Sequence, residues 1–482
     1  MTGEHEKSTP TQQIHKLSIL IPVYNEIRTL KTLLNAVLAA PLPCDRELII
    51  VDDGSHDGSR EFLQEFAEKH HHVQLIVHKQ NRGKGEAIRT AIQHMTGDWA
   101  VIQDADLEYD PNEYETLLMP VLDGVADAVF GSRFLVGRYS RALFFWHMMG
   151  NKLITLMCNV LTNLNLTDIE TGYKLIRADI LRSLNLRSKG FDLEPELTIK
   201  LSRWGARIYQ VAISYRGRTY AEGKKIGAKD GFQALVAMLK YRFFDQEYCN
   251  HKGLLILQAV GKAKRFNRWL FSQFEQWLGD HVLEAGCGIG NLTELVLAKK
   301  RLICIDNDPL YIDRLRRMYG HLENITFHHT DLTDVESLQA AVANKPLDSV
   351  FCINVLEHIE DDILVLKGFY DILGPGGRAI ILVPHNPRLY SEVDRTLGHY
   401  CRYTREQLSQ KMEQAGFHVL ECKGFNRVGG FGWRISGKIL RKKTLSIGQM
   451  RLFELGMPLI RILEKVPFHT HNSLICVAEK IA

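Results

Sequence analysis

Leu17-Ser-Ile-Leu-Ile-Pro-Val-Tyr-Asn-Glu26 is a short apolar run that ends in polar residues and leads into a stretch with helical periodicity. The same order recurs at residues 47–51, 73–78 and 99–102. Strands that alternate with helices in this way are typical of α/β folds with a parallel sheet. The alternation restarts later, with apolar runs at 281–284, 302–305, 325–328, 349–353 and 378–383. We therefore predict two α/β domains, each with its own sheet.

The length of 482 residues exceeds what one hydrophobic core usually serves, which also favours two domains. Residues 245–280 lack a strand pattern, and residues 266–278 are predicted to form a helix with its aromatic positions on one side. The boundary is therefore placed near residue 250. The predicted organisation is a polar tail (1–15), a first domain (16–245), a linker (246–264) and a second domain (265–482).

Charge and cysteine usage exclude several classes of protein. The 60 basic and 56 acidic residues are mixed along the chain, so it lacks the basic stripe that nucleic-acid binders use. The nine cysteines lie far apart without a Cys-x-x-Cys pair, which favours reduced thiols in a cytosol. The polar N-terminus carries no apolar core of the kind that a secretion signal requires. We therefore predict a cytoplasmic protein that does not bind nucleic acid.

Two apolar stretches raise the question of a membrane. Residues 142–161 are interrupted by His147, Asn151 and Lys152, whose polar groups are costly in lipid, so a spanning helix is not expected. Residues 438–466 alternate apolar clusters with basic residues. Each stretch fits a helix packed on its own domain, which we favour, or a helix resting on the inner face of a membrane.

Polar clusters directly follow three predicted strands of the first domain, at residues 22–26, 52–55 and 104–106. Ligands of open α/β sheets bind at the carboxyl ends of strands, so these clusters are expected to converge at one edge. Asp104 and Asp106 can jointly hold Mg²⁺ or Mn²⁺, hard cations that also take phosphate oxygens. A metal ion on a diphosphate stabilises it as a leaving group. Because Asp-x-Asp alone is common in surface loops, the surrounding sequence has to show whether this one binds a metal ion.

Three basic loops accompany the carboxylates. Asn81-Arg-Gly-Lys-Gly-Glu-Ala87 is a glycine-bearing loop before a helix, suited to anionic groups. Gly131-Ser-Arg133 and residues 216–225 add further cations. Clustered lysines and arginines usually form a solvated face, but a diphosphate substrate needs cations beside a metal site. The set therefore predicts a diphosphate-binding edge.

These motifs together resemble the inverting family of GT-A-fold glycosyltransferases that contains dolichol-phosphate mannose synthase, over about residues 16–245. Pro-x-Tyr-Asn-Glu, Val-Asp-Asp-Gly-Ser-x-Asp-Gly, Asp-Ala-Asp, Gly-Ser-Arg, Thr-Gly-x-Lys-Leu and Arg-x-Tyr-x-Glu-Gly-Lys occur in the family's order. The resemblance implies a GT-A domain that binds a nucleotide-sugar donor. The implied donor-binding residues are Pro22, Tyr24, Glu26, Val51, Asp53, Asp104, Ala105 and Asp106.

The resemblance also implies roles in catalysis. Asp104 and Asp106 would hold the metal ion, with Glu108 where some relatives place a third ligand. The donor diphosphate and an acceptor phosphate would be gripped by Arg133, Arg218 and Lys224.

The implied reaction is an in-line displacement at the anomeric carbon with inversion. A polyprenyl-phosphate acceptor is already a nucleophile, so cations that position it matter more than a base. A sugar hydroxyl of a glycan acceptor needs a base, for which Asp168, Asp192 and Glu194 are candidates. Some polyprenyl-phosphate transferases carry C-terminal membrane helices, and peripheral association has to replace them here.

A glycine-rich turn, Glu284-Ala-Gly-Cys-Gly-Ile-Gly290, follows the first predicted strand of the second domain. Glycines let the backbone approach a cofactor, and Asp306 at the end of the next strand is placed to bond ribose hydroxyls. Such a turn also fits a nicotinamide-dinucleotide fold. Against that alternative, Asn291 stands where Gly-x-Gly-x-x-Gly requires its third glycine.

Later features favour S-adenosylmethionine. His329-Thr-Asp-Leu332, Asn354-Val-Leu-Glu-His-Ile-Glu360 and Leu373-Gly-Pro-Gly-Gly-Arg378 stand at the third, fourth and fifth strands. The set resembles the Rossmann-like class I methyltransferases, especially the group with ubiquinone-biosynthesis O-methyltransferases, over about residues 265–482. The resemblance implies that the cofactor is held by Glu284, Gly286, Gly288, Gly290, Asp306 and Asp331, with Leu332 on adenine and Asn354 beside the methyl group.

Methyl transfer from a sulfonium needs a positioned, deprotonated acceptor. His358, His385 and His399 are candidate bases for a hydroxyl. His399 is preferred because Leu397-Gly-His-Tyr-Cys-Arg-Tyr403 reads as an aromatic, basic lid after the fifth strand, although a packed loop fits equally well.

The sequence therefore predicts a bifunctional transferase that moves a hexose from a nucleotide sugar and methylates a saccharide, lipid-linked or small-molecule acceptor. Two alternatives stay open. The second domain can serve another step beside a polyprenyl-phosphate hexose synthase, or it can be a cofactor-binding regulatory or scaffolding module without turnover.

Overall fold

The computed structural model describes residues 13–135, 145–217, 228–245, 247–343, 345–433, 447–464 and 471–481. The chain divides into two compact units, Met1–Asn250 and His251–Ala482. Each unit is an α/β fold with one central sheet in its described part.

The first unit is built on a mixed sheet. Its described strands are β1 (Lys16–Val23), β2 (Asp45–Asp52), β3 (Val73–Val77), β4 (Trp99–Ile102), β5 (Ala128–Ser132), β6 (Lys174–Arg177) and β7 (Ile208–Ala212). Their order in the sheet is β3-β2-β1-β4-β6-β5-β7. β1 to β4 are parallel, as their sequence predicts, whereas β6 runs antiparallel to β4 and β5. β5 and β7 pair in parallel, so β6 is the one strand among those described that runs against the others.

Helices cover this sheet. The described helices are α1 (Ile27–Ala39), α2 (Ser59–Lys69), α3 (Lys84–His94), α4 (Tyr114–Leu122), α5 (Phe145–Thr162), α6 (Ala178–Ser183), α7 (Leu193–Trp204) and α8 (Ala228–Leu239). A π-helical turn, Lys240–Phe244, continues α8. In α1, Leu30, Leu33, Leu34 and Val37 recur at helical spacing, and all four are buried.

The second unit has its own sheet. Its described strands are β8 (His281–Ala285), β9 (Arg301–Asp306), β10 (Ile325–His329), β11 (Leu347–Ile353), β12 (Leu373–Pro384), β13 (His418–Phe425) and β14 (Ser473–Glu479). Their order is β10-β9-β8-β11-β12-β14-β13. β8 to β12 are parallel where they pair, and β14 runs antiparallel to both of its neighbours.

Helices also flank the second sheet. The described ones are α9 (Lys252–Gly261), α10 (Lys264–Phe271), α11 (Pro309–Tyr319), α12 (Val335–Val342), α13 (Asp362–Ile372), α14 (Glu392–Leu397), α15 (Arg405–Gln414), α16 (Arg427–Trp433) and α17 (Ile447–Leu463). Within the described ranges, none of the helices in the chain combines the length and the apolar character that a bilayer crossing requires.

Three segments differ from their sequence interpretation. The predicted linker, 246–264, contains α9, which buries Leu254 and Ala259 in the second unit. The helix predicted over 266–278 starts earlier, as α10, and ends at Phe271. The helical pattern of 291–299 gives only a 3₁₀ turn, Thr293–Leu295. Thr293 Oγ1 donates to the buried Glu284 carboxyl group at 2.6 Å, which ties this turn to β8.

A buried carboxylate joins three segments of the first sheet at the start of its strands. Glu47 of β2 accepts hydrogen bonds from Ser18 of β1 and from Thr96 and Gly97 before β4. Lys16 lies 2.7 Å from the same carboxylate. Burial opposes ionisation of Glu47, but the hydrogen bonds from Lys16, Ser18 and Thr96 outweigh it and lower the pKa to about 2. The ionised form therefore stabilises the fold.

We expect Glu47→Gln to lower the free energy of unfolding near neutral pH by about 1–3 kcal/mol, because buried donors lose their acceptor. The folded pKa, about 2, lies below the usual value of 4.5, so the ionised form adds stability above pH 4.5 that is lost toward pH 2. The difference from wild type should therefore shrink as the pH falls below about 4.5. Urea unfolding of the full chain measures it, with Glu68→Gln on the exposed face of α2 as control. An equal loss in both variants would contradict the role of Glu47.

Candidate active sites

The loops that follow β1, β2 and β4 meet at one edge of the first sheet. Pro22 pairs in register with Val51, and Leu20 pairs with Ile102 on the other side, so the strands end at similar heights. Gly54 has a φ of +80°, and a Cβ there would lie 2.6 Å from the backbone of Asn81. The loop after β2 therefore packs directly on the loop before α3.

The Asp53 carboxylate is fully engaged by the protein. His78 Nδ1 lies 2.7 Å from Oδ1, which also accepts from the backbone N–H of Arg82 at 2.9 Å. Oδ2 accepts from the N–H of Gly83 at 2.7 Å. Asp53 thus holds the glycine-bearing loop in place, a role that its position in the sequence does not show.

The other implied nucleotide residues lie at the same edge. Tyr24 is exposed after β1, and Glu26 precedes α1 and is half-buried. Pro22 is partly exposed, whereas the Val51 side chain is fully buried, so only the Val51 backbone can face a ligand.

Asp104 faces a lysine across the edge. Lys84 Nζ lies 2.7 Å from Asp104 Oδ1 and 3.2 Å from Glu194 Oε1. Burial disfavours the ammonium, but Asp104 and Glu194 raise the pKa of Lys84 above its usual range. Gly172 comes so close that a Cβ there would lie 2.2 Å from Asp104 Oδ2. The edge therefore keeps a permanent positive charge beside the first aspartate.

Asp106 and Glu108 follow in a tight turn. Leu107 between them has a φ of +61°, and the Glu108 N–H donates to Asp106 Oδ1. Glu108 Oε2 accepts from the Tyr215 hydroxyl at 2.9 Å. The Ala105 carbonyl accepts from Thr29 Oγ1, which ties this turn to α1. Both carboxylates are half-buried rather than surrounded by open solvent.

Arg133 is bound in a bidentate ion pair. Its Nε and Nη2 donate to the two oxygens of the fully buried Asp168, at 2.7 and 2.8 Å. Its guanidinium also lies 5.0 Å from the centre of the Tyr215 ring. The structure therefore shows Arg133 anchored within the unit. Arg218 and Lys224 lie outside the described residues.

Two of the three candidate bases, Asp168 and Glu194, are paired with cations. Burial would raise the pKa of Asp168, but Arg133 lowers it below its usual range. Glu194 behaves in the same way, because Lys174 and Lys84 lower its pKa against burial. Asp192 accepts from the backbone of Gly190 and is partly exposed.

Glu170 is not among the site residues that the sequence predicts. Burial and the charge of Glu194 raise the pKa of its carboxyl to about 7. Among the described residues, its Oε1 has no hydrogen-bond partner. It lies two residues before Gly172, which packs on Asp104. No sequence motif marks Glu170, since its properties arise from the charges that surround it in the fold.

A cavity of about 1090 Å³ opens at the carboxyl ends of the parallel strands of the second unit. Seven of the predicted cofactor residues line it: Glu284, Gly286, Gly288, Asp306, Asp331, Leu332 and Asn354. Gly286 has a φ of +79°, and a Cβ there would lie 2.1 Å from Val355. Gly290 is not among the lining residues, because it packs on Leu315 of α11. The structure thus shows a packing contact for Gly290, and the implied contact with a cofactor stays a prediction.

Two acidic residues shape the floor of the cavity. Burial raises the pKa of Glu284 to about 8, so its carboxyl is largely neutral at pH 7. Asp306 Oδ2 accepts from the Gly288 N–H at 2.8 Å, and Oδ1 accepts from the Asp308 N–H at 3.0 Å. Asp306 therefore fixes the glycine turn. Asp331 accepts from Thr333 and is exposed, whereas Leu332 is buried.

A helix that sequence reasoning assigned to the linker covers part of this cavity. Ile256, Leu257 and Val260 of α9 line it, and a Cβ on Gly288 would lie 3.0 Å from Leu257. His251 at the start of α9 contacts Asp308 at 2.7 Å through Nε2 and accepts from the Leu254 N–H through Nδ1. These bonds fasten the helix beside the glycine turn.

The predicted lid brings His399 to the cavity. Its Nδ1 lies 3.0 Å from Asp394 Oδ1, and because a carboxylate only accepts, Nδ1 carries the proton. Burial opposes ionisation of Asp394, but His399 and Arg402 lower its pKa to about 2. His358 also lines the cavity. His385 does not, and its Nδ1 lies 2.9 Å from the Tyr403 carbonyl.

Glu357, which sequence reasoning did not select, lies beside these histidines. It is fully buried, and burial raises the pKa of its carboxyl to about 8. Within the part of the chain that the structure describes, neither of its carboxylate oxygens has a hydrogen-bond partner. The adjacency of Glu357 and His358 in the sequence was the available hint, but His399 joins them only in the fold.

Family models match each unit separately. Residues 18–184 match the model described as glycosyl transferase family 2, and residues 247–422 match one described as methyltransferase domain.

Curated relatives match less than half of the chain. The chain is 31% identical over 234 residues to the undecaprenyl-phosphate mannosyltransferase of Micrococcus luteus, which covers 46% of this chain and 92% of that protein. It is 33% identical over 176 residues to the undecaprenyl-phosphate 4-deoxy-4-formamido-L-arabinose transferase of Photorhabdus laumondii, covering 36% of this chain and 52% of that protein.

Two solved structures are each similar to less than half of the chain. Glucosyl-3-phosphoglycerate synthase of Mycobacterium tuberculosis has a TM-score of 0.38 and 22% identity, over 47% of this chain and 80% of that one. The N-methyltransferase NodS of Bradyrhizobium japonicum has a TM-score of 0.30 and 17% identity, over 46% of this chain and 87% of that one.

The first unit has the GT-A fold and the second the Rossmann-like methyltransferase fold. The chain belongs to glycosyl transferase family 2 through its first unit and carries a methyltransferase domain in its second, so it is an enzyme with two transferase domains.

Proposed function

We propose that the first unit transfers a hexose from a nucleotide sugar to a polyprenyl phosphate, in a metal-dependent reaction with inversion. The observation that carries this proposal is the edge where Lys84 lies 2.7 Å from Asp104, with Asp106 and Glu108 in the next turn. Such an edge combines oxygen ligands for Mg²⁺ or Mn²⁺ with a fixed cation for a diphosphate. The names of the curated relatives support a lipid-phosphate acceptor.

The state of the carboxylates also favours a phosphate acceptor. A hydroxyl acceptor needs a free base close to the donor, but Asp168 and Glu194 are neutralised by Arg133, Lys84 and Lys174. A phosphate oxyanion needs no such base.

The second candidate acceptor is a glycan hydroxyl. Glu170 favours it, because a carboxyl group with a pKa of about 7 can accept a proton near neutral pH. We also propose that Arg218 and Lys224 bind the phosphates, as the family resemblance implies.

We expect Asp104→Ala and Asp106→Ala to reduce sugar transfer to undecaprenyl phosphate by about 100-fold or more, because the metal ion contributes several kcal/mol to the leaving group. Transfer from radiolabelled GDP- and UDP-hexoses with Mn²⁺ measures this effect. Asp123→Ala, an exposed aspartate at the end of α4, is the matched control. Transfer that persists in the two variants, or in excess chelator, would overturn metal dependence.

We propose that the second unit transfers methyl groups from S-adenosylmethionine to a saccharide, lipid-linked or small-molecule hydroxyl. The observation that carries this proposal is the cavity whose floor is the turn of Gly286 and Gly288, held by Asp306. Glu284, Asp331, Leu332 and Asn354 complete the proposed cofactor contacts.

Gly286→Ala should weaken binding of S-adenosylhomocysteine by about tenfold or more, because the new Cβ would lie 2.1 Å from Val355 and displace the turn. Gly376→Ala is the matched control. Gly376 also has a positive φ, +74°, but nothing lies within 4 Å of its Cβ position, so only the general strain is shared. Isothermal titration of the full chain gives both affinities. Equal affinities, or binding of NADH instead, would defeat the assignment.

We propose a cytoplasmic enzyme that works at the inner membrane surface, because a polyprenyl phosphate lies in the bilayer while both donors are water-soluble. Two packed helices of the first unit, α5 and α8, support this proposal. Trp146 on α5 is 81% exposed, and Phe244 after α8 is 80% exposed. Further exposed apolar residues on the two segments are Phe145, Met149, Leu153, Leu156, Val160, Phe232, Val236, Leu239 and Phe243. An aromatic and apolar helix face of this kind inserts at a lipid interface.

We expect Trp146→Asp combined with Phe244→Asp to lower binding to phosphatidylglycerol-containing vesicles by about tenfold or more, because both side chains lose apolar insertion. Vesicle flotation of the full chain measures binding. Met119→Asp, on the exposed face of α4, is the control for added charge at an apolar position. If the wild-type protein does not bind the vesicles, the proposal that it works at the membrane surface is wrong.

A further inference from the structure

Glu357, His358 and His399 come together on one wall of the methyltransferase cavity. One ligand atom from each residue lies within 4.8 Å of the other two. The two imidazole rings meet edge to face, with their centres 4.7 Å apart. His399 Nε2 lies 4.0 Å from Glu357 Oε1. The three side chains therefore converge on one point.

The hydrogen bonds around His399 decide what that point can hold. Asp394 accepts a hydrogen bond from the Nδ1–H of His399, so in the neutral form of the ring Nε2 carries a lone pair, 4.0 Å from Glu357 Oε1. Glu357 is fully buried, and none of the described residues donates a hydrogen bond to its carboxylate. Two electron-rich atoms that face each other in a buried place require a cation or a shared proton between them.

The surroundings of His399 resemble the outer shell of a metal ligand. Asp394 Oδ1 accepts from His399 and from Arg402 Nε, at 3.0 and 2.8 Å. Asp394 Oδ2 accepts from the backbone and the hydroxyl of Ser391, both at 2.9 Å. A carboxylate that is fixed in this way sets the tautomer and orientation of a ligating histidine.

The donor set indicates the kind of ion. Two imidazole nitrogens and one carboxylate oxygen suit divalent transition metals better than Mg²⁺ or Ca²⁺, which prefer oxygen ligands. Three protein ligands also leave coordination positions open, as in catalytic rather than structural sites. His358 is exposed to the cavity, so the open positions face the space where an acceptor would bind.

We propose that Glu357, His358 and His399 bind a divalent transition-metal ion that receives a hydroxyl of the methyl acceptor. This rests on the proposed methyl transfer. The metal-bound hydroxyl loses its proton to water, and the resulting oxygen attacks the methyl group. The new O–C bond forms as the C–S bond breaks, and the sulfonium becomes a neutral thioether. Open positions on the ion favour an acceptor with two neighbouring oxygens, such as the vicinal diol of a sugar.

The test is a Co²⁺ titration of the full chain after chelator treatment, followed by the visible d–d absorption of the ion. Asp104→Ala serves as the background, because it removes the proposed metal site of the first unit. We expect one Co²⁺ per chain with imidazole ligation. Glu357→Gln and His399→Ala should raise the dissociation constant by more than about 100-fold, and Asp394→Asn by about 10- to 100-fold. His418→Ala, an exposed histidine at the start of β13, should leave it unchanged.

Binding of S-adenosylhomocysteine by each variant keeps the outcomes distinct. The metal site is wrong if the cofactor binds but the wild-type protein shows no such Co²⁺ absorption. It is also wrong if the Glu357→Gln and His399→Ala variants still show that absorption. In either case a shared proton links Glu357 and His399 instead. If the metal binds but the cofactor does not, methyl transfer fails instead. Should the buried variants not fold, His358→Ala on the exposed side still has to weaken Co²⁺ binding, and unchanged binding overturns the proposal.

Discussion

Buried carboxylates that must find donors organise both units. An ionised carboxylate without a partner is costly away from water, and Glu170 and Glu357, whose buried oxygens lack partners among the described residues, accordingly have raised pKa values. Asp53 gathers the loop before α3, and Asp306 does the same for the glycine turn of the second unit. The loops at these two edges are therefore held in place by hydrogen bonds within the protein itself.

The two sites handle charge in opposite ways. In the first unit, Lys84, Lys174 and Arg133 neutralise the carboxylates beside Asp104, which leaves an edge suited to phosphates. In the second unit, Glu357 has no donor of its own among the described residues, although Arg402 holds the neighbouring Asp394. The first arrangement suits a substrate that arrives charged, and the second suits one whose oxygen has to be activated.

The sequence predicted the parallel strands well, because their apolar runs are short, continuous and followed by polar residues. Seven of the eight residues proposed to hold the cofactor line the second cavity, since they follow strand ends, and their contacts with a cofactor stay a prediction. Local patterns cannot show pairings between distant residues. Lys84 and Asp104 are 20 positions apart, and the link between Glu357 and His399 spans a strand and two helices. The helix expected over 291–299 is only a 3₁₀ turn at Thr293–Leu295, a difference that the apolar spacing alone does not reveal.

The sequence predicts a linker over 246–264, but helix α9 lies in it, and the apolar side of α9 forms a wall of the methyltransferase cavity. Its first residue stands next to the division between the two units. The segment that connects the two transferase domains along the chain therefore also forms part of the cavity in the second domain. A second unit that began at residue 265 would lack Ile256, Leu257 and Val260, and with them one wall of its cavity.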